Sequence, residues 1–125
     1  MSDTLAKPSR WIGRCIIAIS AIHTLLAAVM FAPIVQQMAA DGIYNSVGED
    51  PMRGAVTWFF FAGFLMALLG MAVDLLEKHG AGRAMKTLGV TLLVFCILGI
   101  ILMPVSGFWL MLIPAAAMIW NSRRG

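Results

Sequence analysis

Long uncharged runs alternate along the chain with short clusters of charge. No Asp, Glu, Lys or Arg occurs from Cys15 to Ala40, from Gly54 to Val73, or from Thr87 to Trp120. These runs lack the polar stripe that a water-facing helix carries. A bilayer core of about 30 Å takes roughly 20 apolar helical residues per crossing. The first two runs hold one crossing each. The third, roughly 34 residues, would be about 51 Å as a single helix, too long for one span. Its break is written in "MPVSGF", where Pro104 removes a backbone donor and Gly107 permits a tight turn. The pattern therefore predicts spans over about 12–34, 53–77, 87–103 and 105–120, with an outer loop over about 35–50. The expected fold is all-α: a polytopic membrane protein, one domain over residues 1–125, with four transmembrane helices in an up-down-up-down bundle.

Local chemistry marks several boundaries. "PIVQQMAADG" continues the first span by two turns and ends at Gly42 as a helix C-cap. Asp50-Pro51 is a helix start, with Asp as N-cap and Pro in the first turn. The second span then runs to His79, with Gly80 as its terminator and Lys78 in a last turn that suits the helix dipole.

Composition agrees with a bilayer as solvent. Apolar residues make up 61% of the chain, charged ones only 12%, and the mean hydropathy is +0.90. Soluble domains carry about 25% charged residues. Charge placement then fixes orientation. With four spans and an inner N-terminus, Lys7, Arg10, Arg14, Lys78, Arg83, Lys86, Arg123 and Arg124 lie inside, and of the nine basic residues only Arg53 lies outside. A three-span chain would export Arg123 and Arg124. Trp11 and Trp120 fall at the inner interface, Trp58 and Trp109 near the outer one. Both termini are thus expected in the cytoplasm. The first apolar stretch is longer than a signal-peptide core and no small-x-small site follows it, so it reads as a retained anchor. The net charge of +3 reflects topology rather than nucleic-acid binding, because the basic residues flank spans and form no stripe. Cys15 and Cys96 are separated by roughly 10 Å in depth, too far for a disulfide.

Ionisable residues inside a membrane are the first functional candidates, because hydrocarbon makes them costly. His23 falls near the midplane, about eleven residues above the inner edge. Ser20, Thr24 and Ala27 share its small, polar face, which turns it toward the bundle interior. Span two offers Gly63, Ala67 and Gly70 at overlapping depth, and span three Cys96 and Gly99. His23 is open to three roles. It can be a neutral histidine bonded to a carbonyl, to Ser20 or to a threonine hydroxyl; a proton- or ligand-responsive residue in a cavity; or a metal or haem ligand. No cofactor is expected. Haem would need a second axial ligand, supplied only by another copy of the chain, and the ten methionines show no spacing for copper. Near the inner edge, Arg14 and Asp74 are placed to form an interhelical ion pair, with Lys78 as an alternative partner four residues on. On the outer side Tyr44, Asn45, Glu49, Asp50 and Arg53, with Trp58 below them, stand opposite Ser106, Gly107, Phe108 and Trp109. These two connections either roof a cavity above His23 or form an ordinary loop and aromatic belt. Binding residues expected on the first reading are His23, Ser20, Thr24, Trp58, Trp109 and Asn45. No nucleophile elbow, HExxH, phosphate loop or cysteine pair at metal spacing occurs, and no catalytic residue is assigned.

The His23-Thr24 pair in span one, the "DGxxN" loop of Asp41, Gly42 and Asn45, "WFFFAGF" with Trp58 and Gly63, and "MPVSGFWLMLIPA" with Pro104, Gly107, Phe108, Trp109 and Pro114 resemble small four-span bacterial membrane proteins with no assigned function. The resemblance covers nearly all of the chain after residue 11. It implies the same topology and a bacterial inner-membrane location, and no activity. A more distant architectural analogy is to DoxX-like four-helix membrane proteins. The expected function is a small binding, transport or accessory module in the lipid bilayer, with a cavity polarised by His23. Its expected partners are a small-molecule or lipid ligand and a homo-oligomer or partner membrane protein, and transport would need a dimer. The alternatives are a membrane redox protein or enzyme using His23 as ligand or acid–base, and a purely structural partner subunit.

Overall fold

A computed structural model describes residues 11–122 and is all-α, with no strand among them. The helices are α1 (Ile12–Met30), α2 (Ala32–Ala40), α3 (Pro51–Lys78), α4 (Gly82–Leu102) and α5 (Phe108–Ser122). Three are long and apolar enough to cross a bilayer: α1, α3 and α4. With 15 residues, α5 reaches only about 22 Å and falls short of a hydrocarbon core by itself. Three long apolar helices, by length and composition, suit a membrane-embedded chain.

The first apolar run is two helices rather than one. Pro33 sits in the first turn of α2 and has no N–H to give, so the chain breaks at Phe31, with φ −106° and ψ 16°. Phe31 N still donates to Ala27 O and Val35 N to Phe31 O, so the turn is tight rather than unwound. At its far end α2 stops at Asp41, and Gly42 takes φ +87°, the left-handed cap expected of it. Asp50 caps α3 as the Asp-Pro pair predicts, its Oδ1 accepting from Met52 N at 2.9 Å and Arg53 N at 3.3 Å. His79 closes α3 and Gly80 turns with φ +64°. Helix α4 begins five residues before the predicted span, because Arg83 and Lys86 interrupt the apolar run without interrupting the helix. Between α4 and α5, Ser106 Oγ accepts from Phe108 N at 3.4 Å and Pro104 O accepts from Trp109 Nε1 at 2.8 Å.

Two intimate pairs, α1 with α3 and α4 with α5, build the molecule, and α1–α5 and α3–α4 contacts join them. Sequence spacing explains the first pair. Gly13, Ser20 and Ala27 recur every seven residues on α1, and Val56, Gly63, Gly70 and Glu77 every seven on α3; all seven are buried. A seven-residue repeat keeps one seam facing a partner helix, and small residues in it let the backbones approach. A Cβ on Gly70 would lie 2.9 Å from Gly13 O and 3.0 Å from Ile17 N, so the two backbones touch there. Ile12, Ile16, Val73, Met85, Cys96, Met111 and Met118 fill the space between the pairs. Cys15 and Cys96 remain unbridged.

Candidate functional site

His23 sits on the α1–α3 seam, half-buried, and its contacts follow from the glycine opposite it. At Gly63 a Cβ would lie 3.0 Å from His23 Cδ2 and would collide with Thr24 Oγ1. With no side chain there, the imidazole reaches the α3 backbone. Its Nε2 stands 2.9 Å from Phe59 O. A carbonyl can only accept, so Nε2 carries the proton and donates. The ring also stacks on Phe59, with centroids 4.1 Å apart and planes 12° off parallel, and Phe31 meets the same phenyl edge-on at 5.3 Å. Of the partners open to His23 in the sequence, the geometry selects the carbonyl. Ser20 Oγ turns back on its own helix, donating to Ile17 O at 2.8 Å.

The outer residues expected to join His23 do not. Trp58 is 67% exposed and packs edge-on against Phe61, while Trp109 is 55% exposed and bonded to Pro104 O. Asn45 lies exposed in the loop with φ +52°. The reason is the loop's own construction. Gly42, Ile43, Asn45 and Gly48 all have positive φ, which coils residues 41–50 onto the start of α3 instead of across the bundle. Arg53 fastens it there. Nη1 donates to Ser46 O and Nη2 to Asp41 Oδ2, both at 2.7 Å, and Nε lies 3.7 Å from the capping carboxylate of Asp50. The "DGxxN" motif thus reads as a carboxylate for Arg53 followed by positions that turn left-handed.

Beneath this coil lies an open-sided cleft of about 340 Å³ between α2 and α3. Val35, Met38 and Ala39 form one wall and Phe60, Phe61 and Phe64 the other. Only Ser46 and Thr57 among its lining residues carry polar side chains, and His23 is not among them. The volume is at the lower end of small-molecule sites. No sequence signal marked this cleft, because it exists only where the break at Phe31 makes α2 a separate helix beside α3.

The expected Arg14–Asp74 ion pair is not found among the described residues. Arg14 is exposed and makes no ion pair among the described residues. The seam explains this: Gly13 packs directly on the backbone of Asp74, so the two helices meet by main chain at that level. The buried acid is Glu77, three residues further along. Its Oε1 accepts from Gly13 N at 2.8 Å and its Oε2 from Ile12 N at 3.3 Å, capping the start of α1 from another helix. Trp11, the N-cap residue of α1, supplies no side-chain bond. The signal was present in the sequence, since Glu77 continues the spacing of Gly63 and Gly70. The described residues hold no group of three or more His, Cys, Asp or Glu side chains arranged for a metal ion.

A family model, a family of unknown function (DUF6463), matches residues 7–125, and the chain belongs to that family. No curated protein and no solved structure matches it.

Proposed function

We propose that this member of the family is a small integral membrane binding module whose ligand site is the outer cleft between α2 and α3. Helices α1, α3, α4 and α5 span the membrane up-down-up-down, with both termini in the cytoplasm of a bacterial cell and α5, lengthened by the apolar turn before it, completing the bundle as the fourth span. The distribution of basic residues, eight of nine on one side, supports that orientation. His23 serves as a lock between α1 and α3 and so steadies α3, which forms one wall of the cleft. The observation that carries the reading is the cleft itself: an apolar, aromatic-walled space of about 340 Å³, held in shape by the Arg53 clasp. Such a space takes an apolar small molecule that has partitioned into the outer leaflet.

The test uses the full chain in nanodiscs and the neutral hydrophobic fluorophore N-phenyl-1-naphthylamine. Saturable binding above that of empty nanodiscs is expected, and Ala39→Trp, which fills the cleft from α2, removes the saturable part. Uptake indistinguishable from empty nanodiscs refutes the reading.

A further inference from the structure

The charge around the cleft has one sign. Residues 41–53 carry Asp41, Glu49 and Asp50 against the single guanidinium of Arg53, a net charge of −2. That guanidinium is shared, with Nη2 on Asp41 and Nε toward Asp50. The two carboxyl side chains remain 58% and 50% exposed, so the clasp leaves them open to a further cation. Glu49 is exposed and has no ion pair among the described residues. It stands three residues beyond Ser46, which lines the cleft.

The walls favour the same sign. Phe60, Phe61 and Phe64 present aromatic rings, whose faces attract cations. A compact ammonium would lose too much hydration to enter so apolar a space, whereas a bulky cation with its charge spread over aryl groups loses little. An anion of the same shape would face the carboxylates. We propose that the outer cleft binds a bulky hydrophobic cation, its aryl groups between α2 and the phenylalanines and its charge beneath the acidic loop. This rests on the cleft being a ligand site at all, as proposed above.

The probes are tetraphenylphosphonium and tetraphenylborate, nearly equal in shape and opposite in charge. Each is dialysed to equilibrium against phosphatidylcholine nanodiscs carrying the full chain, with empty nanodiscs subtracted. Saturable tetraphenylphosphonium binding is expected, lost in Ala39→Trp and displaced by the neutral fluorophore. Glu49→Gln should weaken it about two- to fivefold while leaving fluorophore binding unchanged, which also shows that the variant is folded. Raising salt from about 50 to about 500 mM should weaken it similarly. Tetraphenylborate should show no saturable component. If the fluorophore binds saturably but tetraphenylphosphonium does not, or both ions bind alike, cation selectivity is overturned and the binding site stands. If the fluorophore and both ions all fail to bind saturably, both proposals fall together.

Discussion

At the scale of single residues, two polar side chains, one half-buried and one buried, do the same kind of work at different levels of the α1–α3 seam. His23 satisfies its Nε2–H on the Phe59 carbonyl, and Glu77 satisfies the first N–H groups of α1. Both join α1 to α3 through backbone atoms of the opposite helix. His23→Ala removes one hydrogen bond and one stacked ring contact, and should cost about 1–2 kcal/mol in reversible unfolding in mild detergent. No measurable change would mean that the lock is unnecessary. Glu77→Leu leaves Ile12 N and Gly13 N without their cap and should cost about 1–3 kcal/mol. Glu77→Gln keeps one acceptor oxygen and sets an NH2 donor against the other N–H, so it should cost less than Glu77→Leu but more than nothing, with the exchange of those two amides as the local readout. His23 was legible in the sequence because a histidine in an uncharged run has few explanations. Glu77 is less legible because it stands among charges at the end of an apolar run, where an acid has an ordinary solvated reading, while Arg14 and Asp74 offer a more obvious pairing.

At the scale of elements, what could be read depended on whether the signal was local. Asp50-Pro51, Gly42, Gly80 and the Pro104–Gly107 turn each set a boundary through their own backbone chemistry, and each is found in place. The α2–α3 cleft depends on a tertiary consequence instead. Pro33 marks a boundary in sequence, but that the broken-off α2 would leave an aromatic cleft beside α3 needs the coiled loop and the Arg53 clasp as well. The α1–α3 seam is the element that holds this arrangement together. Gly63→Leu must push the His23 and Thr24 side chains away from α3, and should destabilise by about 1–3 kcal/mol. Ala62→Leu, one position away on an exposed face, should be close to neutral. Equal effects of the two substitutions would show that α1 and α3 do not meet through the glycine.

At the scale of the molecule, two helix pairs share a modest core, and the α2–loop cap belongs to one pair alone. The proposed four-span topology predicts that Asn45→Cys, in a chain lacking Cys15 and Cys96, is labelled by a membrane-impermeant maleimide from outside intact cells. Ala81→Cys should be labelled only after permeabilisation, and a reporter fused after Gly125 should report cytoplasm. An external C-terminus would make α5 a helix that does not cross. The proposed assignment puts ligand binding in the α2–α3 cleft and makes His23 a lock. It is tested most directly by titrating N-phenyl-1-naphthylamine into nanodiscs carrying the natural chain, Ala39→Trp or His23→Ala, each checked for native helicity. Saturable binding kept by His23→Ala and lost by Ala39→Trp is the predicted result; binding lost with His23 and kept when the cleft is filled would contradict it.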